Sequence, residues 1–143
     1  MAFKTYSFED TTLNISHPSV GSWSGYGTGL GTVTVSYSEN ISSMQVAADL
    51  TVVVSKHAYK HGTLTISVNQ ASDFNSFLKK LVNYVKTANP SEFALTTAIL
   101  RNGTTGDMWT LSGIAPQKMP DTTYDSQSGY LQYVFNVASI SNN

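Results

Sequence analysis

Three segments of the chain alternate apolar and polar side chains with a period of two residues. Successive side chains of a β-strand point to opposite faces, so this period predicts strands with one buried face. The apolar positions of the three segments are Val33, Val35 and Tyr37, then Leu64, Ile66 and Val68, then Leu131, Tyr133, Phe135 and Val137. Further strands are expected at about 3–15, 46–55, 93–101 and 107–114, with a hairpin turn at 102–106.

One segment changes to a helical period and predicts an α-helix over about 72–88. Ser72 or Asp73 can cap its N-terminus, and Asn89-Pro90 ends it. Its apolar stripe consists of Phe74, Phe77, Leu78, Leu81, Val82 and Val85. A helix with one apolar face covers one face of a sheet. The sequence therefore predicts an α+β fold that is mostly β: a sandwich or barrel of antiparallel strands with one amphipathic helix, in a single domain of residues 1–143.

Two long stretches, 17–31 and 115–129, are rich in turn-forming residues and are expected to be irregular loops. Loops of that length in a short chain usually serve a function or pack against a partner. Trp23 and Tyr26 lie in the first of them. Because large aromatic side chains often anchor interfaces, we favour burial of these two against a neighbouring subunit over stacking on a ligand.

Charged residues are scarce, since only 12% of the 143 residues are charged and the formal net charge is −1. Attachment to nucleic acid by charge needs clustered cations that displace phosphate counterions, and this composition does not provide them. The composition gives no basis for adsorption to an acidic membrane either. The chain has no Cys, which excludes disulfides, thiolate metal ligands and a Cys nucleophile.

Motifs that would carry catalysis, a cofactor or a metal are missing from the sequence. The glycines of 25–31 fail the dinucleotide fingerprint, because Leu30 occupies the sixth place and a strand follows instead of a helix. His57 and His61 lie four residues apart in a predicted turn, where solvated imidazoles are the simpler interpretation. The carboxylates are scattered along the chain. We therefore expect a protein that is not an enzyme and has no cofactor and no metal site.

The order of these elements resembles that of the tail tube proteins of contractile-tailed bacteriophages. The most specific part is Gly62–Leu78, where a strand runs into a polar Gln-x-Ser-x-x-Asn corner and then into the helix. Gln70, Ser72 and Asn75 stand at the matching positions. The similarity covers about residues 1–138 and includes the opening Met1–Asp10, the His17-Pro18 step, Val33–Asn40 and Val46–Leu50.

The resemblance implies a structural virion protein that forms the hollow inner tube of a phage tail. It implies hexameric rings that stack into a tube, with paired sheets lining the lumen and the helix outside them. The implied partners are the tail sheath protein, the tape measure protein and baseplate hub proteins. DNA is expected to pass through the lumen without specific binding, and no membrane is involved. The expected location is the tail of the virion, after assembly in the host cytoplasm.

Within this resemblance we assign candidate contact residues. Val33–Glu39 and Val46–Val54 are expected to form the arms of a long hairpin that pairs between subunits, with an apolar tip at 40–44 against the next ring. The candidate contacts between subunits or rings are Phe3, Tyr6, Phe8, Trp23, Tyr26, Val33, Val35, Tyr37, Glu39, Asn40, Ile41, Met44, Val46 and Val52. The candidate lumen-lining residues are Thr32, Thr34, Ser36 and Ser38, and the candidate sheath-facing residues are Lys79, Lys80 and Lys86.

The sequence departs from the family pattern in this central hairpin. Tube proteins often have a glycine after its acidic residue, whereas Leu50 follows Asp49 here. Two alternative functions stay open at this point. One is the tube protein of a bacterial secretion or contractile bacteriocin system, which has the same fold. The other belongs to a different class, a carbohydrate-binding β-sandwich that uses Trp23, Tyr26 and polar loops.

Overall fold

The structure is a computed structural model that describes residues 3, 5–26 and 30–142, with the backbone alone at residues 25 and 26. Short 3-10 turns at Phe8–Asp10 and Pro90–Glu92 accompany the regular elements. In chain order these elements are β1 (Thr11–His17), β2 (Gly21–Tyr26), β3 (Leu30–Tyr37), β4 (Ser42–Val46), β5 (Val52–Lys56), β6 (Gly62–Asn69), α1 (Asp73–Thr87), β7 (Thr96–Asn102), β8 (Asp107–Pro116) and β9 (Tyr130–Asn142).

Seven of the strands form one curled antiparallel sheet in the order β2-β1-β7-β8-β9-β6-β3. The remaining two, β4 and β5, pair with each other in a separate hairpin inserted between β3 and β6. The sheet therefore has β2 and β3 as its two edge strands. This placement puts the hairpin directly after an edge strand.

The core lies on the face of the sheet that carries α1. In β6 the side chains of Leu64, Ile66 and Val68 are fully buried, and the alternate residues are only partly so. The helix contributes Phe74, Leu78, Leu81, Val82 and Val85 to the same cluster. Strand β9 adds Leu131, Tyr133, Phe135, Val137 and Ile140. The period-two pattern of the sequence is thus the burial pattern of the sheet.

Several predicted elements are confirmed. The helix spans Asp73–Thr87 within the predicted 72–88, with Ser72 as its N-cap. The two strands predicted near Thr63 and Leu131 correspond to β6 and β9, and the segment near Thr32 is β3. The hairpin turn at 102–106 joins β7 to β8. Residues 117–129 carry no regular secondary structure, which agrees with most of the predicted loop.

Other predicted boundaries were wrong. The expected strand at 3–15 begins only at Thr11, because Phe8–Asp10 makes a 3-10 turn. The expected loop at 17–31 contains β2, which pairs with β1 over six residues. The expected strand at 46–55 is broken by a turn, because Ala47 N donates to Thr51 O at 2.8 Å.

Candidate assembly surface

The polar corner between β6 and α1 explains the Gln-x-Ser-x-x-Asn motif. Ser72 Oγ accepts a hydrogen bond from Asn75 N at 3.2 Å and donates to Asn69 O at 2.8 Å, so it caps the helix and ties it to the end of β6. Asn75 is buried, with 4% of its surface exposed. Its Nδ2 donates to Gln70 O at 3.1 Å, and its Oδ1 accepts from Tyr133 Oη at 2.8 Å. The corner thus fixes the helix on the sheet.

Gln70 holds the long loop before β9. Its Nε2 donates to Thr123 O at 2.8 Å, and its Oε1 accepts from Gly129 N at 3.1 Å. Its backbone N–H donates to Gly129 O at 2.9 Å. Three hydrogen bonds from one residue attach the end of the loop to the corner. The motif residues therefore have structural roles in the fold rather than chemical ones.

One of the two edges of the sheet runs along β3. Ser38 N donates to His61 O at 3.1 Å, so the N–H of Ser38 points toward the β6 side. Because backbone N–H groups alternate in direction along an antiparallel strand, those of Val33, Val35 and Tyr37 point away from β6, where no strand of the described chain pairs with them. Unpaired edges of this kind are templates for pairing with another chain.

The face of β3 opposite the core continues across two further strands as a ladder of nine uncharged side chains, eight polar and one valine, which we call the polar ladder. Thr34 lies opposite Thr65, and Thr65 lies opposite Val134. The full set is Thr32, Ser67 and Gln132, then Thr34, Thr65 and Val134, then Ser36, Thr63 and Asn136. None of the nine side chains is charged, and all lie on the face opposite the buried residues of β6.

The sequence analysis found only the β3 members of this ladder. Thr63, Thr65 and Ser67 showed the same alternation in the sequence, but their position beside β3 depends on the strand order. Gln132 and Asn136 join the ladder because β9 pairs with β6 in this register. Ser38 lies beyond the end of β3 and is exposed.

The hairpin of β4 and β5 exposes every residue of both strands. Cross-strand partners lie on the same face, and Met44 pairs with Val54 while Val46 pairs with Val52. The opposite face carries Ser43 with Ser55 and Gln45 with Val53. The hairpin is therefore amphipathic, and its apolar face of Met44, Val46, Val52 and Val54 is open to solvent within the subunit.

This hairpin corrects the predicted one. The arms were expected at Val33–Glu39 and Val46–Val54 with the tip at 40–44, but β3 pairs with β6, and β4 pairs with β5. The turn lies at 47–51, where Leu50 adopts a positive φ of 67°. The physical reason is that Val33 and Val35 pack against the core beside Leu64 and Ile66, which makes β3 part of the sheet.

Ile41 and Asn40 accordingly lie at the base of the hairpin and not at its tip. Ile41 O accepts from His57 N at 2.8 Å, and its side chain is exposed. His57, Tyr59 and His61 form a row of ring contacts at this base, with centroids 5.5 and 5.7 Å apart. Within the described residues no group of three or more His, Cys, Asp or Glu side chains could hold a metal ion.

Asp49 stabilises the hairpin turn. Its Oδ1 accepts from Thr51 N at 3.0 Å. This backbone hydrogen bond, together with a hydrogen bond from the Thr51 side chain, holds the pKa of the Asp49 carboxyl below its usual value. The turn is therefore built around an ionised aspartate followed by an exposed leucine.

An apolar cleft opens where the N-terminal arm crosses the sheet, and we call it the arm cleft. It has a volume of about 200 Å³. Asn102 Nδ2 donates to Ser7 O at 3.2 Å and to Thr11 Oγ1 at 2.7 Å, which fixes the arm beside β1 and β7. The apolar lining consists of Tyr6, Phe8, Val33, Leu100 and Trp109.

The remaining candidate contacts are spread over the surface. Phe3 and Tyr6 are exposed, and Trp23 is partly exposed because it stacks on Phe77 of α1 with ring centroids 6.0 Å apart. Tyr37 lies 6.3 Å from Trp109, centroid to centroid. Glu39 is exposed, as are Lys79, Lys80 and Lys86 on the outer face of α1. The side chain of Tyr26 lies outside the described residues.

A cluster of Ser, His and Glu side chains near the end of α1 lacks the geometry of a nucleophile. Ser19 Oγ donates to Glu92 Oε1 at 2.6 Å, whereas His17 Nδ1 accepts from Ser19 N at 3.1 Å and His17 Nε2 donates to Glu92 O at 2.9 Å. A base must accept the proton of the nucleophile, and here the imidazole does not contact the hydroxyl. Hydrogen bonds from Ser19 and then Tyr84 hold the pKa of the Glu92 carboxyl below its usual value. The cluster ties β1 to α1.

Comparison with known proteins decides the family. The family model described as "Bacteriophage PhiTE tail tube protein" matches residues 3–143. The chain belongs to this family. It is a structural subunit of a tail tube, and the prediction that it is not an enzyme is confirmed by this membership. No curated protein matches the tube subunit in sequence.

Solved structures show the same fold. A chain in the cryo-EM structure of the anti-feeding prophage baseplate has a TM-score of 0.64 at 11% identity, over 100% of the tube subunit and 97% of that chain. A chain in the sheath-tube complex of an extracellular contractile injection system, PVC, in its extended state has a TM-score of 0.62 at 6% identity, over 97% and 91%. A chain in the sheath/tube terminator of the same system has a TM-score of 0.64 at 6% identity, over 100% and 99%.

These findings confirm the predicted family and the mostly β fold with one helix. The roles assigned to individual contact residues stay predictions. No helix among the described residues is long and apolar enough to cross a membrane.

Proposed function

We propose that the tube subunit forms hexameric rings that stack into the hollow inner tube of a phage tail, as a single tail-tube domain over residues 1–143. The sheath surrounds this tube, the baseplate hub begins it, and the tape measure protein occupies it during assembly in the host cytoplasm. DNA passes through the lumen without specific binding. The carbohydrate-binding alternative has no support from the family.

One observation carries the proposal: the seven-stranded sheet ends at β3 with an unpaired edge, and the hairpin that follows exposes both strands entirely. An open edge and an exposed apolar hairpin invite aggregation unless a specific partner covers them. Ring closure covers both, because each subunit offers its edge to the next one. We therefore assign contacts between subunits to β3 and to the β4–β5 hairpin.

The polar ladder supports a lumen that lets DNA pass. Its nine positions offer hydroxyl, amide and one valine side chain and no cation. A surface that neutralises no phosphates releases no counterions, so it has no electrostatic affinity for the DNA backbone. The helix and its exposed lysines Lys79, Lys80 and Lys86 lie on the other side of the sheet, where a sheath would surround the tube.

Proline at the free edge tests the assembly directly. Val35→Pro removes an N–H that points away from β6, so the subunit keeps its own sheet but loses a donor to a neighbour. Val35→Ala removes the same half-buried side chain and keeps the N–H, which makes it the matched control. We expect rings and tubes by negative-stain electron microscopy for wild type and Val35→Ala, and dispersed subunits for Val35→Pro at the same concentrations. Tubes formed by Val35→Pro would contradict edge pairing through β3.

Added cations test the position of the polar ladder. Thr34→Lys/Thr65→Lys places two lysines on the ladder, and Ser76→Lys/Asn83→Lys places the same charge on the exposed side of α1. We expect tubes assembled with duplex DNA to protect that DNA from nuclease only when the lysines are on the ladder. Nuclease-sensitive DNA on the ladder variant would show that the ladder does not face the lumen.

A further inference from the structure

The turn of the β4–β5 hairpin contains a backbone conformation that its residue does not favour. Leu50 has a φ of 67°, and it is the only non-glycine residue with positive φ in the described chain. Leu50 N donates to Ala47 O at 2.9 Å, and Ala47 N donates to Thr51 O at 2.8 Å, so three residues, 48–50, form the loop inside the last hydrogen-bonded pair. Turns of this type place glycine at the left-handed position. Elsewhere the chain follows that rule, since Gly106 occupies the positive-φ position of the β7–β8 turn at 78°.

The leucine at this position gains nothing within its own subunit. Its side chain is 80% exposed, so it contributes almost no burial to the hairpin. A left-handed conformation is unfavourable for a branched side chain relative to glycine, because its Cβ crowds the backbone carbonyl. When no contact within the subunit offsets the strain at a residue, the strain indicates a function for its side chain. A leucine side chain offers only apolar surface, so a function for it is a contact that buries it.

We propose that Leu50 inserts into the arm cleft of a neighbouring copy of the tube subunit. This inference rests on the proposed function, because it needs subunits that meet edge to edge or ring to ring. The apolar part of the arm cleft consists of Tyr6, Phe8, Val33, Leu100 and Trp109, and the volume of about 200 Å³ exceeds the ~150 Å³ that accommodates benzene in a dry protein cavity. A leucine side chain fits a space of that size.

One charge on each partner has the sign needed for pairing. Asp49 precedes Leu50 and is ionised in the turn, and Arg101 lies on the rim of the arm cleft with its side chain exposed. Asp107 adds a carboxylate to the same rim, which accepts a hydrogen bond from Thr105 Oγ1 at 2.9 Å, so Arg101 is the one cation among the described lining residues and the group that Asp49 would pair with. An aspartate beside the inserted leucine and an arginine beside the cleft give the contact a second point of recognition and fix its direction.

The contact is heterologous, because a projecting group on one face meets a cleft elsewhere on the next copy. Contacts of that kind generate rings when the rotation closes and filaments when it does not. A tube of stacked rings has contacts within each ring and contacts between rings. One Leu50 contact for each subunit is compatible with either position. The proposal commits to a second copy of this chain as the occupant of the arm cleft.

Leu50→Gly relieves the strain of the positive φ and removes the leucine side chain at the same time. Because relief of strain favours the folded hairpin, a loss of assembly by this variant comes from the missing side chain. Leu50→Met is the matched control, since methionine keeps the apolar bulk and the strain. We expect the critical concentration for assembly to rise by roughly tenfold to a hundredfold for Leu50→Gly and to stay close to wild type for Leu50→Met. Wild-type assembly by Leu50→Gly would overturn the insertion and leave the tube function intact. If the wild type forms no rings, the proposed function fails instead.

Disulfide mapping gives a second test that needs no visible tube, since the chain has no native Cys. Leu50→Cys combined with Thr105→Cys, on the rim of the arm cleft, is expected to give a ladder of cross-linked multimers under mild oxidation. The control is Leu50→Cys with Ser112→Cys, because Ser112 is an exposed position further along β8. This pair is expected to run as a monomer on denaturing gels without reducing agent. Equal cross-linking of the two pairs, or none at high concentration, would overturn the insertion.

Discussion

Asn75→Ala is expected to be the most informative change within the subunit, because one amide connects the helix, the β6 corner and β9. The amide donates to Gln70 O at 3.1 Å and accepts from Tyr133 Oη at 2.8 Å. Tyr133 is 1% exposed, so its hydroxyl loses the partner that Asn75 provides in a site that water does not reach. The substitution therefore removes two hydrogen bonds, and one of the two losses leaves the buried Tyr133 hydroxyl without this partner.

The expected loss follows from these two terms. A stranded buried hydroxyl costs about 1–3 kcal/mol, and the lost bond to Gln70 O adds about 1 kcal/mol. The better helix propensity of alanine offsets about 0.5 kcal/mol of this loss, so we expect the free energy of unfolding to fall by about 1.5–3.5 kcal/mol. At this chain length that corresponds to a fall in Tm of about 3–14 °C.

The measurement is urea unfolding followed by circular dichroism, below the concentration at which tubes form. Asn83→Ala is the control, because Asn83 is an exposed asparagine in the same helix and gains the same propensity without losing a network. Tyr133→Phe and the double variant complete a cycle, and we expect the two changes to be non-additive by about 1–2 kcal/mol. If Asn75→Ala unfolds like Asn83→Ala, or if the cycle is additive, the corner does not hold the helix in the way described.

Three further predictions concern pH and capping. Burial raises the pKa of Tyr133 from 10.0 to about 12, so the unfolded chain ionises first as the pH rises, and the free energy of unfolding should fall by up to about 2–3 kcal/mol between pH 10 and 12. Alkaline unfolding curves of Tyr133→Phe should lack this dependence. The lowered pKa of Glu92 contributes stability at pH values above the ordinary pKa of 4.5, and this stability is lost as the pH falls through the folded pKa. Glu92→Gln should flatten that part of an acid unfolding curve. Ser72→Ala should cost about 1 kcal/mol in urea unfolding, and Ser76→Ala, at an exposed helical site, should cost far less.

The parts of the fold that the sequence predicted are those decided by neighbours along the chain. The helix over Asp73–Thr87 follows from an apolar stripe, a capping serine and a proline, all within one window. β6 and β9 follow from strict alternation, because a period of two leaves one consistent face to bury. Such signals are local, so they need no knowledge of the partner strand.

The parts that failed depend on partners far away in sequence. β2 was missed because its glycines at 21 and 25 indicate a loop, while its pairing with β1 and the stacking of Trp23 on Phe77 make it a strand. The hairpin was misplaced because Val33–Tyr37 has two possible partners of similar pattern, and the choice of β6 is made by burial in the core. Pairing choices of this kind are decided by tertiary packing, which no single window contains.

The candidate site divides in the same way. Thr32, Thr34 and Ser36 were identified from the alternation in β3 together with the family resemblance, but the polar ladder to which they belong needs the order β9-β6-β3, which places residues from three distant segments side by side. A lumen surface is a property of the sheet and then of the ring. The sequence can identify the hydroxyl-rich strands, and only the register shows that they form one uncharged face.

Leu50 shows what a broken local rule can contribute to such an interpretation. The β7–β8 turn follows turn chemistry throughout, with Asn102 Oδ1 accepting from Thr104 N at 3.0 Å and glycine at the positive φ. The β4–β5 turn follows the rule at Asp49 and breaks it at the next residue. The chain places glycine, the favoured residue, in one hairpin turn and a strained, exposed leucine in the other. The turn itself therefore does not require the leucine. The isolated subunit offers no physical reason for a leucine at this position. The difference between the two turns is explained if selection acts on the side chain of Leu50 in the assembled tube.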